Sequence, residues 1–322
     1  MGFDVVGIGD LCLDFTAATD VIPKTDMVSP LFFTASQGGG KVPTALVALS
    51  RLGVSTALFA TVGDDPAGRF CRQELADAGV NTDHMVVLPG EKTNLSICLA
   101  EQSTGGRSFL GKYDLRGILP EELDRDVISG SKYVHIWRVT PAAMAAAELV
   151  RRSGGQVVYD ADRYNRETED HLDMTDVFIC SEFFFRGMFG DDVSESALRC
   201  GLEEIRCRGP RIAVVTLGSR GFAGADSDGY FQGPAYHNIH VVDSTGAGDV
   251  FHGAFIYGLL QSWDARRCAA FASAVSAIKC TVPGGRAGIP DAETTRRFME
   301  TGQIDTAVLD EWQAYYAAHR IL

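Results

Sequence analysis

The chain has 322 residues, of which 46% are hydrophobic and 22% charged, a composition typical of a soluble globular protein with a large core. Its formal net charge of −13 argues against nucleic acid or an anionic membrane as a partner, because both bind basic surfaces. The eight cysteines form no C-x-x-C pair, so neither a zinc motif nor a redox motif is present. No basic leader or bilayer-length apolar run appears, and we expect a cytoplasmic protein with reduced thiols.

The first predicted strand runs from Val5 to Gly9, and two carboxylates, Asp10 and Asp14, follow it. Ligands of open α/β folds collect where parallel strands leave the sheet, so Asp14 is a candidate for binding sugar hydroxyls. An aspartate that caps a turn is the alternative. The irregular segment that follows is predicted to form the short strands and turns of a flap.

Three glycines, Gly38 to Gly40, precede a helix that we predict to begin at Pro43 and to end at Gly53. Glycine frees the backbone at a helix N-terminus, so this segment can serve as a hinge, as a ligand seat or as both. Lys41 lies where the helix dipole disfavours a cation, which suggests an external anion or polar ligand. A solvated lysine is the alternative.

The middle of the chain alternates between two patterns. Apolar and polar residues alternate between Thr93 and Gly111, with a turn at 103–106, which predicts a β-hairpin. We expect this hairpin to pair with the flap and to form a small β lid from segments of about 15–36 and 92–113. Elsewhere strands are separated by helices, which predicts a mostly parallel sheet in one domain spanning 1–322. These elements are strands at 55–62, 133–137, 157–160, 177–180 and 212–216 and helices after Pro66, at 141–153 and at 194–207.

The stretch from Asp243 to Asp249 reads D-S-T-G-A-G-D and leads into an apolar helical pattern. Gly246, Ala247 and Gly248 have almost no side chain, so their backbone N–H groups can converge on one anion at a helix N-terminus. Asp249 can then act as a base toward an attacking hydroxyl while the amides bind the transferred phosphate. The alternative is an aspartate that caps a helix after a glycine turn.

Two loops are candidates for nucleotide binding. A turn from Leu217 to Gly221 joins two strands, and its amides and the Thr216 hydroxyl can meet phosphates, although an ordinary turn is the alternative. The loop from Cys280 to Pro290 follows a second apolar helix and suits the wall of a base pocket or a cation site made of carbonyls. A surface loop is the alternative there.

Together these motifs resemble the ribokinase-like (PfkB) carbohydrate kinase family along nearly the whole chain. The first family signature corresponds to Gly39-Gly40-Lys41-Val42-Pro43-Thr44, and the second is complete at Asp243 to Asp249. The resemblance implies a three-layer α/β/α core with a mostly parallel sheet and a β lid, and transfer of the γ-phosphate of ATP to a sugar hydroxyl with Mg²⁺.

The resemblance also implies the parts of the site. Asp249 would be the base, and the amides of Gly246, Ala247 and Gly248 would form the anion hole. The sugar would contact Asp14, Gly39, Gly40, Lys41 and Thr44; the nucleotide would contact Thr216, Gly218, Gly221, Ser181 and the loop containing Gly285; Asp243 and Thr245 would lie beside a monovalent cation such as K⁺. A homodimer through the lid strands is a further expectation from the family.

The chain departs from the family pattern at two positions. Thr44 replaces the asparagine of the first signature, which removes an amide from the substrate pocket. The family's N-x-x-E motif, which orders Mg²⁺-associated water, should fall near Ser181 and Glu182, but its spacing is lost. Glu182 can take over this function, and an ordinary helix start is the alternative.

Within the family, the segments around 242–252 and 279–290 most resemble the sulfofructose kinase branch. On the sugar side, Lys41, Lys112 and Arg138 would form a cationic pocket for an anionic group, although Lys112 and Arg138 also fit as surface charges near loops. We therefore expect an ATP-dependent kinase for a hydroxyl, preferably primary, of a ketose or an acidic or sulfonated sugar.

Two other functions stay open. A nucleoside kinase of the same fold would need aromatic side chains in the lid, and the flap contains Phe32 and Phe33. A catalytically silent regulator that binds nucleotide or sugar is the second alternative. The presence of Asp249 and of the glycine-rich turn argues against it, because a silent protein has no need of a base.

Overall fold

The structure is a computed structural model that describes residues 2–101, 103 and 107–319. Residues 104–106 of the turn expected at 103–106 lie outside the described residues. In chain order the strands are β1 (Val5–Ile8), β2 (Cys12–Thr19), β3 (Leu31–Gly39), β4 (Thr56–Phe59), β5 (Thr61–Gly63), β6 (Val80–Asn81), β7 (Val86–Leu88), β8 (Asn94–Glu101), β9 (Arg107–Lys112), β10 (Tyr133–Ile136), β11 (Gln156–Ala161), β12 (Val177–Ser181), β13 (Ile212–Thr216), β14 (Phe222–Asp226) and β15 (Gly229–Gly233).

The helices are α1 (Lys41–Arg51), α2 (Pro66–Asp77), α3 (Arg125–Ser129), α4 (Pro141–Arg152), α5 (Arg166–Asp170), α6 (Glu182–Phe189), α7 (Glu195–Cys207), α8 (Ala247–Leu260), α9 (Ala265–Lys279), α10 (Ala292–Thr301) and α11 (Ala307–Ala318). None of the helices within the described residues is both long and apolar enough to cross a bilayer.

A nine-stranded sheet forms the middle layer of the molecule, in the order β15-β14-β13-β12-β11-β10-β1-β4-β6. Its strands are parallel from β13 to β6, and β14 and β15 add antiparallel pairs at one edge. Successive residues of a strand face opposite layers: Val5 belongs to an apolar cluster that includes α1, α8 and α9, whereas Val6 belongs to one that includes α4 and α7. This arrangement confirms the predicted three-layer α/β/α fold with a mostly parallel sheet.

A second, smaller sheet contains four strands in the order β3-β2-β8-β9. Its central strands β2 and β8 are parallel, and the outer pairs are antiparallel. The flap and the hairpin therefore pair as the sequence suggested, over a longer stretch that begins at Cys12 and includes Gly39. Both edge strands expose apolar side chains, including Phe32 and Leu110. The function of this sheet as a lid, and a homodimer through its edges, stay predictions.

Some predicted boundaries were wrong. The single strand expected at 55–62 is divided at Ala60 into β4, in the large sheet, and β5, which pairs with β7. Helix α1 begins at Lys41 rather than at Pro43, because Gly40 adopts a φ of 98° and turns the chain there. Proline is tolerated in the first turn of a helix, where no backbone N–H is needed.

Candidate active site

The N-terminus of α8 is tied to the loop that follows α9. Gly246 adopts a left-handed φ of 75°, and a side chain there would lie 2.8 Å from the carbonyl oxygen of Gly285, so the position requires glycine. The carboxylate of Asp243 accepts hydrogen bonds from the amides of Thr245 and Gly284, each at 2.8 Å. The glycine-rich turn is therefore a fixed structure that holds the start of α8.

One of the three amides predicted to form the anion hole already has a hydrogen-bond partner in the protein. The N–H of Ala247 donates to the carbonyl oxygen of Ser244 at 3.2 Å. This N–H would have to leave Ser244 before it could bind an anion. The amide groups of Gly246 and Gly248 are thus better candidates than that of Ala247, and Gly248 is exposed at the helix start.

Asp249 lies in the first turn of α8 with 19% of its side chain exposed. Burial raises the pKa of its carboxyl, and Lys41 opposes this rise. The Lys41 ammonium lies 4.0 Å from Asp249 and 3.3 Å from Asp162. Burial lowers the pKa of Lys41, but the neighbouring carboxylates, with Asp160 first among them, outweigh burial and raise it. The Asp249 carboxylate is therefore more basic than that of an ordinary aspartate, and it lies beside a positively charged lysine.

The predicted sugar-side residues meet where β2, β3 and α1 converge. Burial raises the pKa of Asp14 to about 6, against an opposing hydrogen bond from the Cys12 thiol at 3.2 Å. A side chain on Gly39 would collide with the Asp14 carboxylate, and one on Gly40 would collide with the backbone of Asp10. These glycines allow the close approach of Asp14 to the start of α1. Asp14 and Asp249 are near enough to repel each other.

Thr44 does not take the place of a substrate-binding amide. It is buried, and its hydroxyl accepts a hydrogen bond at 3.1 Å from Arg286, whose side chain is fully buried. The Arg286 guanidinium also contacts Glu74 at 2.6 Å and the carbonyl oxygen of Gly39 at 3.0 Å. Tyr316 donates its hydroxyl hydrogen bond to Glu74. We call Thr44, Glu74, Arg286 and Tyr316 the arginine cluster.

The cationic pocket predicted from Lys41, Lys112 and Arg138 is not formed. Lys112 pairs in register with Leu95 and Leu95 with Leu13, so Lys112 lies on the face of the small sheet opposite to Asp14. It is exposed and lies 3.4 Å from Asp114. Arg138 stacks on Trp137 and lies 3.7 Å from Asp10. Each cation has a carboxylate neighbour, so no excess of positive charge is available for an anionic sugar.

A cavity of about 480 Å³ lies beside the N-terminus of α8. Five predicted residues line it: Thr216, Gly218, Gly221, Ala247 and Gly248. Its remaining wall is largely apolar and includes Tyr236, His237, Ile239, Val241 and Phe251. The segment 235–241 was missed, because it belongs to neither a helix nor a strand and shows no periodicity.

Two predicted nucleotide residues lie outside the lining of this cavity. The hydroxyl of Ser181 accepts hydrogen bonds from the amides of Phe183 and Phe184 and donates to the carbonyl oxygen of Asp162, so Ser181 caps α6. Gly285 packs against Gly246 instead. Ser181 thus has structural contacts, whereas a side chain on Gly285 would meet open space, and the contact of Gly285 with a nucleotide stays a prediction.

The predicted metal ligands are engaged by protein groups. The two carboxylate oxygens of Glu182 each lie 2.7 Å from an arginine, Arg186 and Arg220, which leaves no free oxygen for Mg²⁺. Beside Asp243 and Thr245, the buried Lys279 ammonium donates to the carbonyl oxygen of Asp243 at 2.9 Å. Neither donor set fits a metal ion as it stands, and we derive no catalytic step from a cation held by either.

A further polar group lies behind Lys41 and was not found from the sequence. His135 on β10, Asp160 on β11 and His252 on α8 are buried side by side, and we call them the histidine cluster. His252 follows Asp249 by one helical turn. A histidine within an apolar run gives no sequence signal of this kind, because its neighbours come from distant strands.

The family model for pfkB family carbohydrate kinases matches residues 3–292. The chain belongs to this family. It is accordingly a phosphotransferase with an alcohol group as acceptor, and it is a sugar or nucleoside kinase. The membership of the family that the two signatures predicted is thus confirmed. The resemblance to the sulfofructose kinase branch stays a prediction.

Curated relatives of the chain differ in their substrates. An ATP-dependent ribose-1-phosphate kinase of Halopiger xanaduensis is 26% identical over 299 residues, covering 92% of this chain and 97% of the relative. A nucleoside kinase of Methanothermobacter thermautotrophicus is 25% identical, with 92% and 95% coverage. The ribokinase of Arabidopsis thaliana, solved with ribose and ATP, has a TM-score of 0.80 at 21% identity and covers 93% of this chain and 99% of its own. That structural similarity supports the fold.

Proposed function

We propose that the protein transfers the γ-phosphate of ATP to a hydroxyl of a neutral sugar, with Asp249 as the general base. The observation that supports this proposal is the position of Asp249 beside both a cavity and a second carboxylate. Its neighbour Gly248 lines the apolar cavity, which suits a nucleotide, and Asp14 on the small sheet is close enough to interact electrostatically with Asp249. A sugar hydroxyl that binds to Asp14 would therefore lie near Asp249, the proposed base.

In the proposed reaction the sugar oxygen forms a bond to the γ-phosphorus while the bond from that phosphorus to the bridging oxygen of ADP breaks. Asp249 accepts the hydroxyl proton, and the amide groups at the start of α8 bind the charge of the transferred group. The Lys41 ammonium balances Asp249 and Asp162. Mg²⁺ supplies neutralisation of the ATP phosphates, and we assign it no ligand from the chain.

The charges of the pocket favour a neutral sugar over an acidic or sulfonated one. The carboxylates of Asp10, Asp14, Asp162 and Asp249 outnumber the cations Lys41 and Arg138, and Arg286, which also lies near Asp14, is paired with Glu74. Carboxylates accept hydrogen bonds from sugar hydroxyls but repel a second anion. An acidic or sulfonated sugar is therefore a less favoured acceptor than a neutral sugar.

A nucleoside is the second candidate acceptor. Phe32 on β3 exposes 58% of its surface, and an exposed aromatic ring on the small sheet can stack on a base. The nucleoside kinase among the relatives agrees with this alternative. Replacing Phe32 with serine would weaken nucleoside phosphorylation while leaving sugar phosphorylation unchanged.

The test is ADP release with Mg·ATP over a panel of ketoses, aldoses, sugar acids, sulfonated sugars and nucleosides. For the best acceptor, Asp249→Asn should lower kcat on the order of 10² to 10⁴-fold, because a general base is lost. The parent rate should fall on acidification at a pH above the usual aspartate range, because burial raises the pKa of Asp249 and its protonated form cannot accept a proton. Nucleotide binding, measured by calorimetry, should be retained.

Asp228→Asn is the matched control, because Asp228 is an exposed aspartate in the turn between β14 and β15. It should keep the parent rate. An Asp249→Asn variant that turns over as fast as the control would contradict the assignment of the base. Turnover of nucleosides alone, or of no compound in the panel despite bound ATP, would favour the nucleoside kinase or the silent regulator, respectively.

A further inference from the structure

The histidine cluster brings two imidazoles and one carboxylate together inside the protein. His135, Asp160 and His252 are exposed by 0%, 4% and 4%, and each offers a ligand atom within 4.8 Å of the others. Nε2 of His252 lies 3.3 Å from a carboxylate oxygen of Asp160. The two imidazole rings stack with their centroids 5.6 Å apart. Three separate elements, β10, β11 and α8, thus direct polar groups at one point.

These polar groups are not satisfied by the protein. Nε2 of His135, Oδ2 of Asp160 and Nδ1 of His252 are buried and have no hydrogen-bond partner among the described residues. Leaving a buried polar group without a partner costs about 1–3 kcal/mol. Such groups are rare in native proteins and often indicate a bound water or ion. Three of them in one cluster call for a shared ligand.

The hydrogen bonding of His135 defines what that ligand can be. Its Nδ1 lies 3.2 Å from the carbonyl oxygen of Val158, which can only accept, so Nδ1 bears the proton and Nε2 has a free lone pair. A neutral imidazole whose other nitrogen donates to a backbone carbonyl is the usual arrangement of a metal-bound histidine.

We propose that the histidine cluster is a binding site for one late first-row divalent cation, with Zn²⁺ as its representative. Two imidazole nitrogens and a carboxylate oxygen are a common ligand set for such ions. Around tetrahedral zinc, ligand atoms are about 3.4 Å apart, so the side chains need to close by roughly 1 Å or slightly more. Mg²⁺ prefers oxygen ligands in an octahedron and is excluded by the two histidines.

This site is distinct from the proposed catalytic groups but close to them. Asp160 is also a charge neighbour of Lys41, and His252 shares α8 with Asp249. The cation would therefore lie near the charged groups around Lys41. The proposal does not depend on the kinase reaction, because its readouts are metal binding and thermal stability.

The experiment uses the full chain, dialysed against EDTA and then titrated with ZnCl₂ in competition with a chromophoric zinc indicator, without nucleotide. Long equilibration is needed because the buried cluster must open to admit the ion. The parent should bind one equivalent, and its Tm should rise with zinc, since a ligand that binds the native state stabilises it. His135→Gln, Asp160→Asn and His252→Gln should each weaken binding by at least about tenfold.

Two controls separate this site from adventitious ones. His171→Gln removes a half-buried histidine at the end of α5, outside the cluster, and should leave the affinity unchanged. Cys200→Ser combined with Cys207→Ser removes the two exposed thiols and should also retain the equivalent. In the parent, Co²⁺ should give the visible bands of tetrahedral nitrogen and oxygen coordination without a thiolate charge-transfer band. This measurement needs no variant, so it holds even if a substitution prevents folding.

The proposal is overturned if the parent takes up no zinc beyond the weak binding at exposed groups. It is also overturned if the three cluster variants, checked for folding by circular dichroism, bind zinc like the parent, or if the serine variant loses it. In each of these cases the three buried polar atoms must share a water molecule, and the cluster is a structural feature of the interior.

Discussion

The arginine cluster and the histidine cluster are both buried, yet they differ in how well their polar atoms are partnered. Arg286 donates to Glu74, Thr44 and the backbone of Gly39, and Tyr316 completes the shell of Glu74. The histidine cluster leaves three polar atoms without partners among the described residues. A satisfied buried network specifies one packing of the chain, whereas an unsatisfied one has room for a ligand.

The two clusters also connect different parts of the protein. The arginine cluster joins α2, the glycine segment before α1, the loop after α9, and α11. That loop also holds the start of α8 through the bond from Gly284 to Asp243. The sugar side and the nucleotide side of the site are therefore linked through Arg286. The histidine cluster connects only adjacent layers at the centre of the sheet.

The largest expected effect is on stability, in the arginine cluster. Arg286→Met should lower the free energy of unfolding by about 3–5 kcal/mol, because it leaves the Glu74 carboxylate buried without its cation. Urea unfolding followed by circular dichroism measures this loss. Arg297→Met is the matched control, since its ion pair with Asp305 is exposed, and it should cost less than about 1 kcal/mol.

A milder variant guards against a failure to fold. Tyr316→Phe removes only the hydroxyl that donates to Glu74, and it should cost about 1.5–3 kcal/mol as a hydrogen bond to a charged group. If the Arg286 and Tyr316 variants both lost less unfolding free energy than the Arg297 control, the arginine cluster would not be a strongly stabilising network.

An intermediate effect is expected at Asp14, which is half-buried near Arg286 without an ion pair to it. Its folded pKa of about 6 exceeds the ordinary value of 3.8, so the native state binds the proton more tightly than the unfolded state. The resulting stabilisation is present below pH 4 and is lost as the pH rises to about 6. Asp14→Asn should therefore gain about 1–2 kcal/mol relative to the parent between pH 4 and pH 7, after allowance for partial exposure.

Urea titrations of both proteins at several pH values measure this difference, and sugar binding should be lost in the same variant. Asp228→Asn should show no pH-dependent difference from the parent. A parent that becomes more stable than Asp14→Asn as the pH rises would mean that Asp14 has a lowered pKa and a cationic partner.

The smallest effect is expected in the histidine cluster. His135→Phe, in metal-free protein, should change the free energy of unfolding by less than about 1 kcal/mol. The substitution loses the hydrogen bond from Nδ1 to the carbonyl oxygen of Val158, but it also removes the buried Nε2 that has no partner among the described residues. The same urea assay applies, with zinc added in a second series. A loss comparable with that of Arg286→Met would show that His135 has a strong partner after all.

The sequence predicted the central sheet and the start of α8 well. Runs such as Ile212–Thr216 are short, apolar and bounded by turns, and parallel strands buried on both faces have this pattern. The position of Asp249 in a first helical turn followed from the glycines before it and the apolar period after it. Both inferences depend on neighbours in sequence, which is why they could be made.

Features that depend on distant pairing could not be predicted. The face on which Lys112 lies is set by its register with Leu95, and shifting the pairing by one residue would reverse it. Glu74 binds Arg286 and Tyr316, which lie 212 and 242 residues further along the chain, and neither Glu74 nor Tyr316 stands out within its helix. The division of the predicted strand at Ala60 is similar, since a continuous apolar run does not say which sheet each half joins.

The direct passage of the chain from β1 to β2 has a consequence for the order of folding. Only Gly9, Asp10 and Leu11 separate a strand of the large sheet from a strand of the small one, yet the parallel neighbour of β2 is β8, far along the chain. Forming that pair closes a long loop, which slows it relative to local contacts. During synthesis, β2 lacks this partner until residues 94–101 have been made, and the small sheet is completed only after β1 and α1 are already available.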